Sequence, residues 1–128
     1  MKPNKKLHLN LIASLIITAF TFSACAGGSE TVSQTNNDLG KQVFMQKCAT
    51  CHSLEEDQTI VGPALPHIAT IAETRLPDKS AQEYIEAMLV DPTTFDLEDY
   101  PNVMPQNMKG QITTEEYTAL VDYLMTLK

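Results

Sequence analysis

Residues 48–52 read Cys-Ala-Thr-Cys-His, and this stretch decides how the rest of the chain is interpreted. The pattern C-x-x-C-H is typical of c-type haem attachment. Two thiols three residues apart can add to the two vinyl groups along one edge of a porphyrin, and the adjacent imidazole can bind the iron. The stretch therefore predicts one covalently attached haem, with thioether bonds to Cys48 and Cys51 and with His52 as an axial ligand of the iron.

Other uses of a cysteine pair fit this stretch less well. A zinc site needs four nitrogen or sulfur ligands, and the chain has no second cysteine pair. A thioredoxin-like redox pair belongs in a βαβ context, and no strand pattern flanks the motif. A disulfide between Cys48 and Cys51 would suit an oxidising compartment but would leave His52 without a role.

The N-terminal segment has the pattern of a bacterial export signal. A basic start is followed by an apolar run at residues 7–22 and then by small residues; the basic residues are Lys2, Lys5 and Lys6. Haem attachment to the C-x-x-C-H motif requires export, so this segment and the motif support the same interpretation. We expect residues 1–24 to be an export signal of the lipoprotein type.

The end of that segment predicts a membrane anchor. Residues 22–25 read Phe-Ser-Ala-Cys and resemble a lipoprotein box, with Phe22 where the box usually has Leu. We expect Cys25 to be lipidated, which tethers the protein to the membrane on its periplasmic or extracellular side. Ordinary cleavage around Ala24-Cys25-Ala26 is the alternative and would release a soluble periplasmic protein.

The mature chain is predicted to have a short tether and one folded domain. Residues 25–37 comprise the lipidated N-terminus and a small, polar segment without hydrophobic periodicity, which predicts a flexible tether. The domain is expected over residues 38–128. A domain of this size is marginal on apolar burial alone and often needs a metal, a disulfide or another core filler.

Hydrophobic periodicity predicts an all-α domain. Asp38 can cap a helix that runs to about Cys48. Ser80-x-x-Glu83 and Thr113-x-x-Glu116 are capping boxes, and each precedes apolar residues spaced three or four apart. Nothing alternates with the period of two that a strand would show.

The domain resembles class I (mono-haem) cytochromes c, in a bacterial lipoprotein form. The resemblance covers residues 38–128 and rests on the haem motif near the domain's start, Gly62-Pro63, Met104-Pro105 in a late loop and a C-terminal helix. It implies about four helices wrapped around one covalently bound haem, with the first and last helices crossing. It also implies that the Pro63 carbonyl accepts a hydrogen bond from His52.

Further contacts follow from the same resemblance. Gly40 and Phe44 match the first-helix positions that pack on the last helix, where Leu120 and Tyr123 are the expected partners. Arg75 is the only arginine and is a candidate partner for a haem propionate, although a solvated surface charge is the alternative.

The second axial ligand is predicted to be Met104. Pro105 keeps Met104 extended and out of a helix, which matches the Met-Pro ligand loop of the family. Met108 also precedes the last helix and is the reserve candidate. His67 could ligate in principle, but a partly solvated surface histidine is preferred.

The net charge of the chain limits the kinds of partner that it can bind. The formal charge of −7 excludes nucleic acid, whose binding needs clustered Lys and Arg, and removal of residues 1–24 changes this charge to −10. Acidic stretches at residues 55–57 and 96–99 favour redox partners with a basic docking face, with a solubilising surface as the alternative.

The expected function is single-electron transfer in a respiratory or photosynthetic chain by a carrier that is not an enzyme. Alternatives are a fixed electron-relay subunit of a quinol-oxidising complex or terminal oxidase, a haem peroxidase or sensor, and a dithiol redox protein without haem.

Overall fold

The computed structural model describes residues 28–95, 100 and 103–128. Within these residues the chain forms four α-helices and no strand, which confirms the all-α prediction. The helices are α1 (Gly28–Lys47), α2 (Ile68–Arg75), α3 (Ala81–Val90) and α4 (Thr114–Thr126), and two 3₁₀ turns lie at Pro92–Thr94 and Met108–Gly110.

Both predicted capping boxes are present. The Ser80 hydroxyl accepts from the Glu83 N–H at 3.3 Å, and the Glu83 carboxylate accepts from the Ser80 N–H at 2.8 Å. The corresponding distances at the start of α4, between Thr113 and Glu116, are 3.2 and 2.8 Å. These reciprocal bonds satisfy backbone donors that a helix N-terminus leaves without intrahelical partners, so they fix where α3 and α4 begin.

Helix α1 begins ten residues ahead of the expected start at Asp38. Residues 28–37 are helical where a flexible tether was expected, whereas Cys25 and the export signal at residues 1–24 lie outside the described residues. Helix propagation gives the physical reason: once the buried part of α1 has nucleated a helix, each preceding residue adds a backbone hydrogen bond, and no proline interrupts this segment.

The polar part of α1 extends into solvent. Four of its polar residues are exposed: Ser33, Gln34, Thr35 and Asn37. From residue 33 onward, the first buried residue of α1 is Gly40. No helix in the described part of the chain has the length and apolar content needed to cross a bilayer.

Helices α1 and α4 cross closely at Gly40. A Cβ at this position would collide with the Ala119 carbonyl oxygen and would lie 2.6 Å from the Cβ of Tyr123. One turn later, the Phe44 and Tyr123 rings pack with their centroids 5.9 Å apart. Tyr123 is therefore a partner as expected, while the backbone that approaches Gly40 is that of Ala119 rather than of Leu120. Leu120 is fully buried in the core instead.

The core surrounds α4, which packs against the second half of α1 and against α2 and α3. Its largest fully buried side chains are Phe44 and Leu120. The C-terminus also contributes, since the Leu127 carbonyl accepts from the N–H of Ala69 at 2.9 Å and holds α2 against the end of α4. This arrangement leaves an apolar cleft between the helices and the connecting loops.

Candidate functional site

A large apolar cleft brings together the residues that the sequence marked. It encloses about 1420 Å³ of empty space, part of which is open to solvent. All four helices contribute to its walls, together with the loop after α1 and the loop before α4. The predicted site residues on its lining are Cys48, Cys51, His52, Pro63, Arg75 and Met104.

The two thiols lie on the turn that ends α1. The Cys48 N–H continues the helical pattern to the Phe44 carbonyl at 2.8 Å, and the Cys51 and His52 N–H groups both donate to the Cys48 carbonyl, at 3.0 and 2.9 Å. This tight turn places both cysteines and the histidine on one wall of the cleft. Both thiols are partly buried, and neither forms a disulfide within the described part of the chain.

Burial first, and then the neighbouring Cys51, raise the pKa of the Cys48 thiol to about 11. Cysteines that exchange disulfides usually have a lowered thiol pKa and an electropositive environment. The raised pKa of Cys48 is the opposite of this pattern.

His52 is held by two contacts with the segment that follows it. Its Nδ1 lies 2.8 Å from the Pro63 carbonyl oxygen, which is the hydrogen bond expected from the sequence. A carbonyl only accepts, so Nδ1 carries the proton and Nε2 keeps its lone pair in the neutral ring. No described residue hydrogen-bonds to Nε2, so this nitrogen is available to a metal ion.

Gly62 supplies the second contact. A Cβ on Gly62 would lie 2.5 Å from the His52 Cε1 and 2.9 Å from Nδ1. Only a glycine therefore lets the backbone pass so close to the ring. The Gly62 N–H in turn donates to the Cys51 carbonyl at 2.9 Å, which fixes this segment beside the motif.

Ser53 and Gln58 complete the loop and were not found from the sequence. Ser53 is the one polar side chain that is buried among the described residues. Its hydroxyl donates to the Gln58 Oε1 and accepts from the Glu55 N–H, both at 2.9 Å. Its carbonyl accepts from the Leu65 N–H at 2.8 Å, so Ser53 ties together both halves of the loop that carries Pro63. Neither residue belongs to a pattern that would reveal this role.

Three methionines also line the cleft. Met104 is partly buried and lies between an exposed Val103 and an exposed Pro105, whereas Met108 is 5% exposed and belongs to the core. Both side chains reach the cleft lining, as does that of Met88 on α3. Met104 is thus the methionine of the loop, and Met108 packs at the base of that loop.

A family model for cytochrome c matches residues 38–128. The chain belongs to the cytochrome c family. No curated protein and no solved structure is significantly similar to it. The match covers the cleft-lining residues of the described part, and Cys48 and Cys51 stand in the C-x-x-C-H motif of the family.

The cofactor of this cytochrome c is a covalently attached c-type haem with iron, and the cleft fits it. Cys48, Cys51, His52 and Met104 all line this cleft, and the other lining residues are mainly apolar. The Gly62 contact leaves room for the imidazole and nothing else beside it. When bound, haem supplies one-electron Fe(III)/Fe(II) chemistry, which makes this protein a haem-based electron carrier.

Among the described residues that line the cleft, two are charged, and both are basic. They are Arg75 at the end of α2, which the sequence suggested as a propionate partner, and Lys47 at the end of α1, which it did not. Tyr84 lines the same cleft and packs edge-on against Phe95, with ring centroids 5.1 Å apart. Burial raises the pKa of Tyr84, while the positive charge of Arg75, which lines the same cleft, acts in the opposite direction.

His67 lies outside the cleft, on the surface. Its Nε2 is 3.0 Å from the Glu56 Oε1, and both side chains are exposed. The pKa of His67 is raised, and the hydrogen bond to Glu56 is the largest cause. This position agrees with the preferred interpretation of His67 as a surface residue rather than an iron ligand.

Proposed function

We propose that this cytochrome c is an exported, membrane-tethered electron carrier that passes single electrons in a respiratory or photosynthetic chain, with His52 and Met104 as axial ligands of the haem iron. The observation that carries the proposal is the pairing of His52, oriented by the Pro63 carbonyl, with Met104 on the lining of one apolar cleft. Ligands in both axial positions leave no open coordination site for a substrate. Methionine and histidine ligation raises the reduction potential and suits electron transfer.

The hydrogen bond between the imidazole and the Pro63 carbonyl supports this role for His52. A ligating histidine commonly donates its other ring N–H to a carbonyl, which fixes the tautomer and raises the basicity of the ligating nitrogen. The 2.8 Å contact between the His52 Nδ1 and the Pro63 oxygen provides this arrangement.

The ligand assignment can be tested by spectroscopy of the ferric protein. Methionine ligation gives a weak far-red charge-transfer band, which Met104→Ala should abolish while haem stays attached to the denatured chain. Met108→Ala is the matched control, because Met108 lines the same cleft from the core, and it should retain the band. Loss of the band in Met108→Ala and its survival in Met104→Ala would reverse the assignment.

Membrane attachment is proposed from the sequence around Cys25. The experiment is metabolic labelling with a radioactive fatty acid, followed by fractionation of membranes and periplasm. Wild-type protein should carry the label and sediment with membranes, and Cys25→Ser should lose both properties. An unlabelled wild-type protein in the soluble periplasmic fraction would instead support ordinary signal cleavage.

For partners, we propose redox proteins with a basic docking face. The exposed acidic residues Glu55, Glu56 and Asp57 support this, and they lie on the loop that begins at the haem motif. Association with such a partner should slow as ionic strength rises. An association rate that does not depend on salt would remove the charge argument.

A fixed subunit of a quinol-oxidising complex or terminal oxidase is the second candidate, and the helical extension of α1 ahead of residue 38 favours it. A helical segment positions a domain more narrowly than a flexible linker of equal length. Mild detergent extraction followed by size-exclusion chromatography separates the two candidates. Co-migration of haem with large membrane subunits would identify a fixed subunit, and elution as a small species would identify a free carrier.

A further inference from the structure

The loop that carries Met104 is pinned at one residue, Asn107. Asn107 has φ 56° and ψ 48°, a left-handed conformation that L-residues with a Cβ rarely adopt and that asparagine tolerates best. Its N–H donates to the Val90 carbonyl at 2.8 Å, which joins the loop to the C-terminus of α3. That carbonyl is one of the acceptors that the end of a helix leaves without an intrahelical donor.

The side chain of Asn107 stabilises the same loop conformation through a hydrogen bond to the residues that follow it. Its Oδ1 accepts from the Gly110 N–H at 3.1 Å and so caps the 3₁₀ turn Met108–Gly110. A Cβ on Gly110 would lie 2.5 Å from the Asn107 Nδ2, so a glycine at this position leaves the space that the folded-back amide occupies. Asn107 and Gly110 are therefore fitted to one another.

Only Pro105 and Gln106 separate this anchor from Met104. Both are exposed, whereas Met108, directly after Asn107, is buried in the core. The loop thus changes from a solvent-exposed segment to a fixed one at Asn107. The backbone conformation of Asn107 determines the direction in which the chain leaves the core towards Met104.

From this geometry we propose that Asn107 is the positioning residue that keeps Met104 on the haem iron. Loss of the left-handed backbone or of the cap at Asn107 allows Met104 to dissociate from the iron. The inference rests on the proposed ligation by Met104. Asn107 acts through the loop and need not touch the iron itself.

The test is a titration of the purified ferric holoprotein with imidazole, which binds the iron when Met104 is displaced. The apparent dissociation constant falls as the Met104-off fraction rises. Asn107→Gly keeps the left-handed backbone but loses the cap, so it should tighten imidazole binding by about twofold. Asn107→Ala loses the cap and also leaves a Cβ in the left-handed region without the amide that lets asparagine adopt it, so it should tighten imidazole binding by about tenfold or more. Asn107→Asp keeps the acceptor and should stay close to wild type.

Gln106→Ala is the matched control, because its side chain makes no hydrogen bond to a described residue, and its imidazole affinity should equal that of wild type. Thermal unfolding is measured alongside. Variants at Asn107 that unfold earlier but bind imidazole as wild type does would show a merely structural role and overturn the inference. If Asn107→Ala does not fold, Asn107→Gly decides by the same criterion.

The failure of the proposed ligation would look different. In that case the wild-type protein would lack the far-red band, or Met104→Ala would retain it, and both the ligation by Met104 and the role of Asn107 would fall. A band that depends on Met104, combined with unchanged imidazole affinity at Asn107, would overturn the role of Asn107 alone.

Discussion

Gly62 packs against the imidazole of His52 so closely that a single methyl group on Gly62 would lie 2.5 Å from the ring Cε1. The residue after Gly62 accepts the ring N–H, so one dipeptide both leaves room for the imidazole and sets its orientation. Gly-Pro is a common turn signal, and here its two halves have separate roles towards the same ring.

Gly62→Ala should displace the His52 ring and lengthen its hydrogen bond to Pro63. We expect a loss of about 1–3 kcal/mol in the free energy of unfolding, which is typical when an extra methyl group is forced into a packed site. Urea denaturation of the ferric holoprotein measures it. Ile60→Ala, at an exposed residue two positions earlier that does not line the cleft, is the control and should change stability by less than about 0.5 kcal/mol. Equal stability of Gly62→Ala and wild type would contradict the contact.

Gly40→Ala should separate α1 from α4. The new Cβ would collide with the Ala119 carbonyl, and backbone cannot move aside as the end of a flexible side chain can. We expect a loss of about 1–3 kcal/mol or more in the free energy of unfolding, with a lower yield of haem-loaded protein. Lys41→Ala changes an exposed residue of the same helix and should leave both quantities near wild type. A Gly40→Ala protein as stable as Lys41→Ala would mean that the helices do not cross at this point.

Thr113→Ala should destabilise the start of α4. Loss of the side-chain acceptor for the Glu116 N–H costs about 1 kcal/mol at an ordinary N-cap. Thr114→Ala removes the same kind of side chain one residue later, where the helix has already begun, and serves as the matched control. The prediction requires the urea midpoint to fall clearly further for Thr113→Ala than for Thr114→Ala.

The His67–Glu56 pair predicts a pH dependence. Its hydrogen bond to Glu56 raises the pKa of His67 above the ordinary 6.5, so the folded protein binds the His67 proton more tightly than the unfolded chain does. The stabilising effect is therefore fully present below pH 6.5 and is lost as pH rises through the folded pKa. NMR titration of the reduced protein should give a His67 pKa above 6.5, and Glu56→Gln should lower it. An identical His67 titration in both proteins would show that the pair does not form in solution.

The parts of this molecule that could be predicted from sequence are those specified by local chemistry. The C-x-x-C-H motif, Gly62-Pro63 and the capping box at Thr113 each depend on a few residues at fixed spacing, and the structure places the cysteines, His52 and Pro63 around one cleft. The sequence placed Met104 and Met108 in the same loop, with Met104 preferred as the ligand, and only the structure shows that Met108 is buried in the core.

Other features depend on which segments meet in space. Ala119 and Leu120 are adjacent on α4, and only the crossing geometry decides which backbone faces Gly40. Ser53 and Gln58 become partners only after the loop has closed. The helical conformation of residues 28–37 is absent from the hydrophobic pattern, because residues 33–37 are polar and mostly exposed and the segment is an extension of a helix that formed elsewhere.

The helical conformation of residues 28–37 also links the rotation about the helix axis to the number of residues in the segment. Residues 28–47 form one uninterrupted helix that ends at the haem-attaching turn, so each residue in it contributes about 100° of rotation and about 1.5 Å of rise. Inserting one residue between positions 28 and 37 would turn everything ahead of the insertion by about 100° about the helix axis relative to the cleft, whereas inserting four would nearly restore the original phase. With the proposed lipid on Cys25, the side of the domain that faces the membrane would depend on helical phase as well as on linker length.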